Sequence, residues 1–395
     1  MNKLRPDSFA LTALLSFLSA FGPLSVDLFL PSMPEIGRAY GAPASQVQLT
    51  ISLYLAGFAV GQIIYGPIAD RFGRKPVIMA AFALYCVATA ACLAAPTIEW
   101  LIAGRMVQAF GAAGSIVVAR AVVRDLYEGA HAGRQLSIMG VMMGFMPIVA
   151  PITGGILLTL FHWRAGFVFQ FGVGALAGYL VWRYLPETQA RSEPSRIGLL
   201  AGYRMIATHR IFLANLAVGT VGYSGLFAWI SGSSFVMQNI VGLSPFAYAV
   251  SYALSCVGFM IGGALATRFV MRLGLDKTAG LGALALAVAG AAMIISTAAG
   301  KALPVTLTLS MDLYLCGLGL LLPQAVAAAL TPFPSHAGIA SSLIGFVQQC
   351  AGALMGAAIG YTLGLTAWPV ATGTLVAGGG SLVLWIVTRR MRIGS

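Results

Sequence analysis

The stretch GPIADRFGRKPV, residues 66–77, crowds four charged side chains, Asp70, Arg71, Arg74 and Lys75, into one short turn. On either side lie long apolar runs, 46–67 and 76–95. About 20 apolar residues in an α-helix cross the hydrocarbon core of a bilayer. A basic turn held between two such runs therefore reads as a hairpin of membrane helices. The composition agrees. Of 395 residues 59% are hydrophobic and 9% are charged, against about 25% charged in a soluble domain.

The same measure, taken along the chain, predicts twelve spans: 9–36, 46–67, 76–95, 98–120, 134–159, 164–185, 211–236, 245–269, 278–298, 304–326, 338–361 and 367–388. The first run is longer than a bilayer needs and is expected to tilt or end near Glu35. MNKLRP at the start resembles the basic part of a leader. The run behind it is too long for one and lacks an A-x-A cleavage pattern, so it reads as the first span.

Net charge is +12. The basic residues punctuate apolar runs instead of forming a patch, which argues against nucleic acid as partner. With the N-terminus in the cytoplasm, 19 of the 23 Lys and Arg fall on the cytoplasmic side, as the positive-inside rule requires. Both termini are then cytoplasmic. The longest non-apolar segment, 186–210, divides the chain into an N-terminal six-helix half, 1–185, and a C-terminal one, 211–395. The turn DRFGRK, 70–75, and the later turn MRLGLDK, 271–277, share Arg-x-Gly about 200 residues apart, where a six-span repeat would place them.

Chemistry-bearing residues are few. Cys86, Cys92, Cys256, Cys316 and Cys350 lie in apolar runs without ligand or disulfide spacing. His131, His162, His209 and His336 sit at or near span ends. No G-x-x-x-x-G-K-[ST] loop or G-x-S-x-G elbow is present, so neither direct ATP drive nor a hydrolase site is expected. No metal or cofactor is expected either. What stands out is charge at membrane depth: Asp27 in LSVDLFLP, Arg105 in GRMVQAFGAAG and Asp312 in TLSMDLYLCG. Intramembrane ions are costly and mark a cavity, a pathway or a partner. Arg105 also lies near enough to the outer end of its span to snorkel. Gln108, Gln324, Gln348 and Gln349 add polar groups, and Tyr54, Tyr223, Phe227 and Trp229 offer aromatic surface.

Read together, these stretches resemble the major facilitator superfamily, and within it the drug/proton antiporters of the bicyclomycin and chloramphenicol resistance type. Residues 66–77 resemble the superfamily's turn Gly-x-x-x-Asp-Arg-x-Gly-Arg-Arg/Lys through Gly66, Asp70, Arg71, Gly73 and Arg74. Residues 104–114 resemble Arg-x-x-Gln-Gly-x-Gly-Ala, with Ala109 where Gly is usual. GVMMGFMPIVAPITGG, 140–155, resembles the antiporter motif ending Gly-Pro-x-x-Gly-Gly, with Ala150 before Pro151. LSVDLFLPSMP, 24–34, carries Phe29 where this branch usually has Tyr, and LPET, 185–188, and AGIASS, 337–342, add weaker support.

The resemblance implies an all-α polytopic membrane protein of two six-helix halves. It also implies a proton-coupled exporter of small amphipathic compounds in a bacterial inner membrane, working as a monomer by alternating access, with protons, lipid and a drug or metabolite as partners. Spans 1 and 4 would line a central cavity, and the matching depths of Asp27 and Arg105 would make them a pair that couples proton to substrate, or a purely structural ion pair. Asp312 is expected as a second proton site or part of the drug pocket, unless it faces water. Asp70 would accept from a helix N-terminus, and Arg71 and Arg74 would latch the cytoplasmic side. Gly140, Gly144, Pro151, Gly154 and Gly155 would form a smooth face against the other half, and Pro147 and Pro151 would bend the span. A dedicated exporter of a sugar, amino acid or siderophore is the alternative within export. An uptake symporter is disfavoured by residues 140–155, and a membrane enzyme or receptor by the lack of a catalytic constellation.

Overall fold

The computed structural model describes residues 8–127, 129–188, 199–300, 303–333, 337–364 and 366–393. Among these residues the regular structure is helical throughout. Two compact units divide the chain, Met1–Pro194 and Ser195–Ser395.

The first unit contains α1 (Phe9–Ser19), α2 (Phe21–Asp27), α3 (Met33–Tyr40), α4 (Ala44–Phe72), α5 (Arg74–Leu93), α6 (Ile98–Leu126), α7 (Gly129–Leu160) and α8 (Arg164–Tyr184). The second contains α9 (Leu199–Ala207), α10 (Arg210–Phe235), α11 (Pro245–Ala298), α12 (Pro304–Leu330), α13 (Ala337–Thr362), α14 (Trp368–Val387) and α15 (Arg389–Ile393). Ten of these helices are long and apolar enough to cross a membrane. The first predicted run is not one rod. It bends by 43° at Ala20, ends its second helix at Asp27, and resumes through a 3-10 turn at Leu30–Ser32. Pro31 brings this about, since it has no N–H to give the carbonyl of Asp27.

The 54 residues of α11 would extend about 80 Å, more than twice a hydrocarbon core. Gly274 breaks the helix there, with φ 79 and ψ 173, between Arg272 and Asp276. Counting α11 as two crossings and the bent first run as one recovers the twelve predicted spans.

Helix starts carry their expected caps. Thr97 accepts from the N–H of Trp100 and Ser244 from that of Ala247, which satisfies donors a helix leaves open. Packing rests on small residues, because lipid offers helices no hydrophobic drive to associate. A Cβ at Gly57 of α4 would collide with the carbonyl of Met106 on α6, and one at Gly111 would come within 2.8 Å of the Tyr85 nitrogen on α5.

The connecting segment 186–210 is partly helical. Residues 199–207 form α9, whose Ile206 packs with Phe212, Phe333 and Ile344 and whose Tyr203 hydroxyl meets Ser342 Oγ at 3.1 Å. Residues 189–198 and His336 lie outside the described residues. The face of α7 is also not uniformly close-packed. A Cβ at Gly154 would collide with the carbonyl of Leu28, so this contact joins α7 to the end of the first run inside the same unit. Among the described residues nothing stands within 4 Å of a Cβ built on Gly140 or Gly144. Pro151 and Gly155 are buried, and Pro147 is half-buried.

Candidate functional site

Asp27 is the last residue of α2 and is 4% exposed. Arg105, on α6, is 0% exposed, so it does not snorkel. Its guanidinium donates to Gln108 Oε1 at 2.6 Å and to the carbonyl of Ser25 at 3.1 Å. The rings of Tyr54 and Phe29 lie 4.3 and 4.6 Å from its central carbon, within cation–π range. Arg105 reaches the backbone two residues before Asp27, because the break in the helix leaves that carbonyl in need of donors.

Gln108 carries the arrangement further. Its amino group donates to Thr89 Oγ1 at 2.8 Å and to Gln170 Oε1 at 2.9 Å. Gln170, on α8, donates in turn to the Ser25 carbonyl at 3.5 Å. Ser25 Oγ and the Tyr85 hydroxyl are 2.8 Å apart, and the Tyr54 hydroxyl reaches the carbonyl of Gly22 at 3.5 Å. Helices from the first run, α4, α5, α6 and α8 thus meet around one buried cation. Sequence reading found Asp27, Arg105, Gln108 and Tyr54. It missed Gln170, whose one signal was an amide inside the apolar run 164–185.

A second polar cluster sits at the turn between α4 and α5. Gly73 adopts φ 99, which L residues avoid. Arg74 pairs with Asp70 at 2.5 Å and with Asp125, at the end of α6, at 2.8 Å. The start of α5 is capped by Glu187. Its carboxylate accepts from the backbone N–H groups of Arg74 and Lys75 at 2.9 and 3.1 Å, where a helix N-terminus favours negative charge. Lys75 Nζ returns the favour at the end of α8, donating to the carbonyls of Trp182 and Leu185. Every partner named here belongs to the first unit. Arg71 stacks on Phe72, 5.2 Å away. Nothing stands within 4 Å of a Cβ at Gly66.

In the second unit Asp312 lies where α12 touches the first part of α11. A Cβ on Gly258 would come within 2.6 Å of Asp312 Oδ1, an atom that is buried and has no hydrogen-bond partner. Tyr223 and Phe227 pack edge to face at 5.2 Å, and Phe227 rests on Gly352 of α13. Trp229 and Gln324 are buried; Gln348 and Gln349 are half-buried. Among the described residues no three His, Cys, Asp or Glu side chains gather as a metal would need.

Comparison with known proteins places this architecture. The uncharacterized MFS-type transporter YdgK of Bacillus subtilis (strain 168) is 30% identical over 365 residues, 91% of this chain and 90% of that protein. A bicyclomycin resistance protein homolog of Haemophilus influenzae is 29% identical, covering 91% and 90%. Multidrug resistance protein D of Escherichia coli (strain K12) is 29% identical, covering 86% and 85%. Among solved structures, the peptide transporter POT in complex with sulfate superposes with a TM-score of 0.79 at 13% identity, covering 99% and 97% of the two chains, a likeness of fold. The sequence pattern of the Major Facilitator Superfamily matches residues 14–357. The chain therefore belongs to the Major Facilitator Superfamily and is a multi-pass membrane protein of that transporter family.

Proposed function

We propose that this protein exports small amphipathic drugs across a bacterial inner membrane in exchange for protons, by alternating access, with both termini in the cytoplasm. The observation that carries the reading is Asp27, a buried carboxylate at the broken end of α2, two residues after a carbonyl held by Arg105, whose hydrogen bonds go to neutral oxygens. A carboxylate in such surroundings gains and loses a proton with small changes in its neighbours. Each inward proton releases about 2.3 kcal/mol per 100 mV, enough for roughly fifty-fold accumulation of a neutral substrate. Relatives named for bicyclomycin and multidrug resistance point to drugs as the cargo. The Arg74 cluster, at the turn, would set the rate of the conformational change.

The test is a drug-susceptibility panel in a host stripped of its own pumps, with and without an uncoupler. Resistance to at least one compound, abolished by the uncoupler and by Asp27→Asn, is expected. Resistance that survives both would remove the proton from the mechanism, and no resistance to any drug would leave metabolite export as the reading.

A further inference from the structure

The backbone is short of donors where Asp27 stands. The N–H of Phe29 turns back to the carbonyl of Val26 at 3.1 Å, not to that of Ser25. The last carbonyls of a helix must then find partners elsewhere. For Ser25 these are two side chains from different helices, Arg105 at 3.1 Å and Gln170 at 3.5 Å. Gln170 accepts from Gln108 at 2.9 Å, and Gln108 accepts from Arg105 at 2.6 Å. The result is a closed circuit of four groups.

The sense of the circuit is fixed by chemistry. Arginine has donors only, so Gln108 turns its oxygen toward Arg105. The amino group of Gln108 then faces the oxygen of Gln170, and the amino group of Gln170 is left for Ser25. Arg105, Gln108 and Gln170 are all buried, so water does not substitute for a missing member. Buried networks of this kind reward complete satisfaction and penalise a gap.

We infer that Gln170 is a positioning residue. Together with Arg105 it fixes the carbonyl two residues before Asp27, and so sets where that carboxylate stands and how readily it takes a proton. The effect on transport rests on the proposed coupling role of Asp27; the effect on Asp27 itself does not.

The experiment uses full-length protein in membrane vesicles. Dicyclohexylcarbodiimide labels protonated carboxyl groups in apolar surroundings, and labelling of the Asp27 peptide as a function of pH requires no transport. Gln170→Met keeps length and volume and removes both hydrogen bonds. The labelling midpoint is expected to move by half a pH unit or more, about threefold in the protonation equilibrium. The maximal export rate should fall about tenfold, with KM changing less than about threefold. If Gln170→Met does not accumulate, Gln170→Asn, which keeps the amide but shortens its reach, should move the midpoint in the same direction by less. An unchanged midpoint and an unchanged pH profile of export in the accumulating variant would overturn the inference and leave Gln170 a packing residue. A shifted midpoint, in a protein whose export ignores Asp27→Asn, would uphold the positioning and overturn the coupling.

Discussion

Gly57 and Gly61 let α4 touch α6 in the first unit, as Gly258 and Gly262 let α11 touch α12 in the second. Gly111 meets α5 at Ala81 and Tyr85, and Gly317 meets α11 at Gly282 and Leu286. Gly174 packs on Tyr85, and Gly378 packs on Leu286. The two basic turns share a positive φ, 99 at Gly73 and 79 at Gly274. Laid over these contacts, Arg105 falls on Met311, Gln108 on Tyr314, Gln170 on Thr374 and Thr89 on Gly290. The second unit fills the same places with other bonds: Tyr314 donates to the carbonyl of Gly222 on α10, and Thr374 to that of Val370, one turn away on its own helix. The places that correspond to Arg105 and Gln108 thus hold no cation in the second unit.

Exchanging the two chemistries tests this most severely. Arg105→Met strands Gln108 Oε1, at about 1–3 kcal/mol, and leaves the Ser25 carbonyl with Gln170 alone, and export should vanish. Met311→Arg buries a charge with no partner, a lesion of about 3–5 kcal/mol, and membrane yield should collapse. Normal yield and export from Met311→Arg would break the correspondence between the units. The acids come next. Asp27→Asn should lose substrate-induced proton release entirely while reaching the membrane in normal amount. Asp312→Asn should lower export by less than about tenfold. The reverse ranking would move coupling to the second unit.

A smaller effect is expected at the turns. Asp125→Asn leaves Arg74 with Asp70, which is 68% exposed, and should slow turnover several-fold, about what one charge-assisted bond supports, with substrate affinity unchanged. Asp276→Asn removes the Arg392 pair and should leave turnover alone. Affinity loss at constant rate in Asp125→Asn would refute the gating role. The smallest difference is between Gly73→Ala and Gly274→Ala. Both force a side chain into positive φ, and only the first also sets its Cβ 2.8 Å from Glu187 Oε2. Gly73→Ala should lose about 1 kcal/mol more, read as a lower melting temperature by thermal scanning. Equal losses would mean that Glu187 yields freely.

Much of this was legible in the sequence because charge in an apolar run needs no structure to be noticed. Asp27, Arg105 and Asp312 are visible in that way, and the spans follow from length. The partner of Arg105 was not legible. A backbone carbonyl has no letter, and the one at Ser25 became available because the N–H of Phe29 turns to the carbonyl of Val26. The cap on α5 was not legible for a related reason. Asp70 is close in sequence, whereas Glu187 is brought to the turn by the path of α8. Gln170 was hidden among aromatic residues that look like lipid-facing surface until α8 is placed beside α6.

Glu187 also has a consequence for the order of synthesis. It follows α8, so its carboxylate leaves the ribosome after all six spans of the first unit have been made. Until then the N–H groups of Arg74 and Lys75 have water as their acceptor, and the turn at Gly73 lacks the contact that closes over it. The bond between Glu187 and the start of α5 is thus a record of completion. A nascent chain arrested before Glu187 should leave that turn open to protease, and one arrested well after it should not.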